Sequence, residues 1–229
     1  MTAERSSWWS RLQRSHPELG PALVVGLSWA IFIVHGTRGW FSWAAPSGLG
    51  HWVLMTVVMM GPAALIGVRH TGMNSLCWRR RRAMAEFAVA YLSVWVGFGL
   101  LVLGGIGTIP RLAGREALAA SLAAAAIWEL TPYKGLRLRD CHRSIPLPPS
   151  GWGAERGAMI FGLRSGLACL GSCWCLMVVM VAAPGAHLLW TAALTGLVTA
   201  ERCLERPRRI TRWAAAGLGA AAIGHTMFG

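Results

Sequence analysis

Charged residues are scarce in this sequence, and acidic residues are the scarcest. Charged residues make up 14% of the chain, with 22 Lys and Arg against 9 Asp and Glu, whereas a soluble domain has about 25%. The chain has no glycine-rich phosphate loop, no H-E-x-x-H helix and no serine nucleophile elbow. None of its six cysteines belongs to a C-x-x-C pair. We therefore expect a protein that is neither a soluble domain nor an enzyme.

Hydrophobic residues account for 55% of the chain and are gathered in long runs. A transmembrane helix needs about 20 predominantly apolar residues. The runs lie at residues 21–35, 52–68, 84–106, 112–130, 158–183, 187–204 and 213–228. We therefore predict an all-α transmembrane helical bundle of seven helices, or of six if the last run does not cross. Residues 1–229 then form one transmembrane domain, with a basic cytoplasmic leader at 1–19 and a cytoplasmic loop at 131–157.

The positions of the basic residues indicate how the chain is oriented. Most of the 22 Lys and Arg lie in the leader, after the second run, at 131–157, or after the sixth run. Because basic loops stay in the cytoplasm, the N-terminus is predicted to be cytoplasmic and the protein to cross the bacterial inner (plasma) membrane several times. The net charge of +13 then reflects orientation and contact with anionic lipid, not nucleic acid. The alternative for the first run is a signal peptide cleaved near residues 42–44.

The fifth run combines an apolar sequence with soft metal ligands. Cys169, Cys173 and Met177 follow one another at steps of four residues, and Met180 comes three residues later. On a helix this spacing places the four sulfur atoms on one stripe. Soft sulfur donors select Cu(I) over hard cations. The alternative is that these side chains only fill the core, in which case no cofactor is bound.

The second run contains another series of possible metal ligands at helical spacing; we call this series and the stripe of the fifth run the two ladders. His51, Met55 and Met59 are also four residues apart, and this run is predicted to be antiparallel to the fifth. If the two helices touch, equal depths in the bilayer pair His51 with Met177, Met55 with Cys173, and Met59 with Cys169. The two ladders together predict a column of imidazole, thioether and thiol groups that extends from the outer surface to the midplane.

One arginine lies inside an apolar run and needs a partner there. Arg164 is predicted to be at a depth close to that of Glu201 and Glu129, and an ionisable residue in the membrane is costly unless it is paired. We expect an ion pair of Arg164 with one of these glutamates. This pair either fixes the register of the helices or takes part in a gate or a proton-linked step.

Four segments carry a resemblance to a known family. They are LMTVVMMGP at 54–62, YLSVW at 91–95, LTPYK at 130–134 and GLACLGSCWCLM at 166–177. In these the chain resembles the bacterial predicted metal-binding integral membrane proteins, a domain of unknown function (number 2182). The resemblance implies a fold of six or seven helices and a metal role for Cys169, Cys173 and Met177, with Met55, Met59 and Met60 next. Unlike the family, this chain lacks methionines on both sides of Trp190.

Three functional hypotheses follow from the sequence. The first is a membrane protein that binds or passes Cu(I), for copper handling or for delivery to a membrane copper enzyme. The second is a non-catalytic accessory or scaffold subunit of a larger membrane complex. The third is a proton- or ion-coupled transporter that uses Arg164, Glu129 and Glu201. The copper content of the purified protein separates the first hypothesis from the other two.

Overall fold

A computed structural model describes residues 16–37, 47–108, 115–183, 187–204 and 207–228. All the regular secondary structure in these residues is α-helical. The eight helices are α1 (Leu19–Thr37), α2 (Ser47–Met73), α3 (Arg80–Thr108), α4 (Arg115–Leu130), α5 (Pro132–Cys141), α6 (Trp152–Ala182), α7 (His187–Cys203) and α8 (Pro207–Phe228). The predicted all-α fold is confirmed, and each of the seven apolar runs forms a helix. Residues 1–15 of the predicted leader and residues 42–44 lie outside the described residues.

Four of the described helices are long and apolar enough to cross a membrane by length and composition: α1, α2, α3 and α6. Helix α6 has 31 residues, a length of about 46 Å at 1.5 Å per residue, which exceeds a hydrocarbon core of about 30 Å. Helices α4 and α7 have 16 and 17 residues, and α8 begins with basic residues. A path that crosses the membrane seven times therefore stays a prediction.

Helix α5 lies within the segment predicted to be a cytoplasmic loop, so this segment is partly helical; its cytoplasmic position stays a prediction. Thr131 caps the helix by accepting a hydrogen bond from the backbone N–H of Lys134 at 3.3 Å, and Pro132 occupies the first turn, where a missing N–H costs nothing. Lys134 and Leu138, four residues apart, are both buried. Helix α5 is therefore held by contacts with the bundle, chiefly with α6.

Helix α6 occupies the centre of the bundle and packs most extensively against α3. The approach is closest at Gly162 and Gly166, which face the backbone of α3. A Cβ atom added at Gly162 would collide with the carbonyl oxygen of Phe87, and one added at Gly166 would lie 3.1 Å from that of Tyr91. Small residues four apart allow such contact between helices in a membrane. The sulfur stripe of α6 begins one turn beyond this contact.

We expect Gly162→Ala to lower the free energy of unfolding by about 1–3 kcal/mol, the usual cost of adding a methyl group to a filled interface. The unfolding temperature of this variant in detergent is measured and compared with that of a control variant, Gly97→Ala. Gly97 is an exposed glycine of α3 with open space around its Cβ position, so its replacement by alanine is expected to be neutral or stabilising. Equal unfolding temperatures for the two variants would contradict the close approach.

The basic segments of the chain meet at one end of the bundle, which we call the basic end. Arg82 pairs with Glu155 of α6 at 2.8 Å, and both Arg79 and Arg82 pair with Glu86. A ring nitrogen of His70 lies 3.0 Å from the carbonyl oxygen of Ile145. The ends of α2, α5 and α7 and the starts of α3 and α6 thus lie together, as the alternating charge pattern predicts.

Candidate metal centre

The sulfur stripe of α6 faces the core of the bundle. The side chains of Cys169, Cys173, Met177 and Met180 are all buried, with at most 1% exposure. Met55 and Met59 of α2 are fully buried in the same core. The helical spacing therefore identified which face of α6 is internal, and the sulfur atoms of this face lie inside the bundle.

Cys169 is the residue of the stripe with the most polar surroundings. Its Sγ atom accepts a hydrogen bond from the hydroxyl of Tyr91 on α3 at 3.0 Å and lies 3.8 Å from the Sδ atom of Met60 on α2. Three helices therefore converge on this thiol. Its buried position and its two specific contacts make Cys169 the centre of the candidate site.

The predicted pairing of the two ladders needs correction. The methionine against Cys169 is Met60 and not Met59. Helices α2 and α6 touch only over a short stretch, because α2 packs mainly on α1, α3 and α7. Contact of the two ladders along their whole length is therefore not seen in the described residues, and the pairing of His51 with Met177 and of Met55 with Cys173 stays a prediction.

The stripe has further polar contacts closer to the other end of α6. The Sγ atom of Cys173 lies 3.3 Å from the hydroxyl of Ser172. The Sδ atom of Met180 accepts a hydrogen bond from Thr191 of α7 at 3.9 Å. These hydroxyl groups hold the sulfur atoms in place and leave each of them with lone pairs for a soft cation.

The geometry at Cys169 suits a soft monovalent metal. Metal–sulfur bonds of about 2.3 Å are typical of protein sites, so one ion touches two sulfur atoms that are up to about 4.6 Å apart. The 3.8 Å between Cys169 and Met60 falls within this limit. Among the described residues, no group of three or more His, Cys, Asp and Glu is placed to hold a metal. The donors present are thus thiol and thioether, the set that favours Cu(I) over zinc or hard cations.

A histidine group lies at the opposite end of the bundle from the basic end. His51 is buried and stacks on Phe32 with the ring centroids 6.0 Å apart. It is within electrostatic range of His187 and His35. The histidines of three helices are therefore close together, although His51 does not continue the sulfur stripe.

The predicted ion pair of Arg164 is wrong. Arg164 is exposed, while Glu129 and Glu201 both bind the ammonium group of Lys134, Glu201 at 2.8 Å. The three paired side chains are at most 1% exposed. The ammonium group is also within electrostatic range of Cys173. A transporter mechanism can therefore not use an ion pair of Arg164 with these glutamates. The buried cation that pairs with them is Lys134.

Sequence reasoning missed Lys134 because it counted this residue with the basic residues of a cytoplasmic loop. One signal was available: Lys134 is the only lysine in a chain that otherwise uses arginine. Lysine carries a compact charge on a flexible stem and is readily accommodated between two carboxylates, whereas arginine presents a rigid planar fork. A single lysine in such a chain indicates a position with a special requirement.

Comparison with protein families gives one match. A family model described as PpoB2, copper chaperone, covers residues 49–225, which is most of the chain and includes every residue of the sulfur stripe. Comparisons with curated proteins and with solved structures gave no significant match. The match supports a copper-related family, which agrees with the copper role predicted from the sulfur donors. The chain therefore belongs to the PpoB2 family of copper chaperones.

Proposed function

We propose that this chain binds Cu(I) inside the membrane at Cys169 and passes it along the sulfur stripe for delivery to a copper enzyme. The observation that carries the proposal is the contact of Cys169 with Met60 across α2 and α6. Replacing the thiol proton by Cu(I) converts that contact into a thiolate–metal–thioether bridge and leaves the net charge unchanged. A buried thiolate is costly without compensating positive charge, and the metal adds to the charge of the Arg202 guanidinium, which lies within electrostatic range of Cys169.

The remaining sulfur atoms of the stripe give Cu(I) a route through the protein. Cys173 is the next sulfur on the stripe, and Met177 and Met180 continue it toward the end where His51, His35 and His187 gather. Thioethers bind Cu(I) without a change of protonation, so the ion moves along them without releasing protons into the bilayer. The bacterial inner membrane, crossed several times with the N-terminus in the cytoplasm, is the location that we propose for this route.

The test is the metal content of the protein purified in detergent under reducing conditions. We expect about one copper per chain and an X-ray absorption spectrum in which the ligands of copper are sulfur atoms. A folded protein that remains free of copper after incubation with Cu(I) would overturn the proposal. An accessory subunit of a larger complex would then be the better explanation. If the spectrum shows only nitrogen ligands, copper binds at the histidine group and not at the sulfur stripe.

A further inference from the structure

A second site lies at the basic end of the bundle. A cavity of about 150 Å³ opens there between the ends of α2, α5 and α7 and the first half of α6. Tyr91, whose hydroxyl donates to Cys169, forms part of its wall, and Cys141 and Arg202 form another part. The cavity therefore lies between the buried thiol and the loop at 142–151.

Arg202 is the unusual group of this cavity. Its side chain is 7% exposed, and its Nε and Nη2 atoms have no hydrogen-bond partner among the described residues. The adjacent Glu201 does not supply one, since its carboxylate binds Lys134. The guanidinium lies within hydrogen-bonding reach of the Cys169 thiol and within electrostatic range of Cys141 and Tyr91, so Nε and Nη2 are the donors that still need a partner. A buried cation with unpaired donors is unfavourable until an anion reaches it, so the cavity has the character of an anion site.

The groups around Arg202 limit what that anion is. Both ring nitrogens of His142 face carbonyl oxygens, those of Leu138 at 2.7 Å and of Arg202 at 2.9 Å, so this imidazole does not bind a metal without breaking a contact. The free metal ligand in the wall is the thiol of Cys141. Guanidinium and thiol together suit an anion that contains a soft metal.

We propose that this cavity receives Cu(I) as an anionic complex with two thiolates of a small carrier thiol, held by Arg202, and that Cys141 takes the place of one carrier thiolate. This inference rests on the proposed function and adds the chemical form in which copper is exchanged. One bond between copper and the carrier sulfur breaks, and one bond between copper and Cys141 forms. The proton of Cys141 leaves on the released carrier thiol, and copper remains Cu(I). Cys169, within electrostatic range of Cys141, is the next ligand.

The experiment compares two copper carriers of opposite charge. Detergent-purified protein receives Cu(I) either as the anionic complex with two thiolates of 2-mercaptoethanol, a carrier small enough for the cavity, or as the cationic acetonitrile complex, and uptake is followed over time. We expect Arg202→Gln to slow uptake from the anionic carrier by about tenfold or more, the scale of electrostatic steering, and to leave uptake from the cationic carrier as fast or faster. Arg202→Lys should be intermediate with the anionic carrier. Cys203→Ser, an exposed cysteine next to Arg202, is the matched control and should behave as wild type.

A measurement on the wild-type protein tests the inference even if the Arg202 variants do not fold. Perchlorate, a competing anion that does not coordinate Cu(I), should inhibit uptake from the anionic carrier and spare uptake from the cationic one. Equal slowing of both carriers by Arg202→Gln, or no effect of perchlorate on either, would overturn the inference and leave Arg202 a structural role. If wild type takes up copper from neither carrier, the proposed function itself fails. If wild type takes up copper and Arg202→Gln does not slow uptake from the anionic carrier, only the present inference fails.

Discussion

Replacing Cys169 and Cys173 together by serine is expected to lower the affinity for Cu(I) by at least about a hundredfold. Loss of a supporting group behind a metal ligand already costs 10–100-fold, and this variant removes both thiols of the stripe. Serine retains the size and a hydrogen-bonding group, so Tyr91 keeps a partner at position 169. The measurement is a competition titration with a Cu(I) chelator of known affinity.

Cys175→Ser is the matched control for this experiment. Cys175 belongs to the same helix and is 4% exposed, but its position two residues beyond Cys173 places it on another face of α6. Its replacement should leave the affinity for Cu(I) within experimental error. Equal affinities for wild type and the Cys169/Cys173 double variant would show that the stripe only packs the core. An equal loss in Cys175→Ser would point to general damage to α6.

Lys134→Met is expected to reduce the free energy of unfolding by about 3–5 kcal/mol, the cost of removing one partner from a buried ion pair. The variant leaves Glu129 and Glu201 facing each other without a cation, and one oxygen of each carboxylate already has no hydrogen-bond partner among the described residues. The measurement is an unfolding titration in mixed detergent micelles.

Two further variants show whether Lys134→Met loses stability because the glutamate charges are left unpaired or because the side-chain packing changes. Adding Glu129→Gln and Glu201→Gln to Lys134→Met removes the uncompensated charge and should restore most of the stability. Arg139→Met, an exposed position on the same helix, should change the stability by no more than about 0.5 kcal/mol. If Lys134→Met is as stable as Arg139→Met, the buried ion pair does not hold the bundle together.

The apolar runs and the internal face of α6 were predictable because both are local properties of the sequence. Hydropathy over a window of residues reports a membrane helix, and the helical period shows which sulfur atoms share a face. Helix α5 was not predictable in the same way. It has ten residues and four basic or acidic groups, and it is helical because Lys134 and Leu138 find partners in helices that are distant along the chain.

The one-residue error in the ladder has a physical cause as well. Depth in the bilayer follows from counting residues, but the rotation of a helix about its axis depends on all its neighbours. The glycines of α6 allow α3 to approach closely, and α2 packs mainly on α1, α3 and α7 and only over a short stretch on α6. The sulfur contact of Cys169 is with Met60, one residue beyond the predicted Met59.

The contact between Lys134 and Glu201 has a consequence for how the protein is made. The two residues are 67 positions apart, so the ribosome completes α5 and α6 before α7 exists. Until then Lys134 has only Glu129, and an incompletely paired ammonium group is costly in hydrocarbon. Helix α5 is therefore expected to wait at the membrane surface, where water solvates its charges, and to dock only after α7 has been inserted. Assembly of the copper site beside it is thus a late event in biosynthesis.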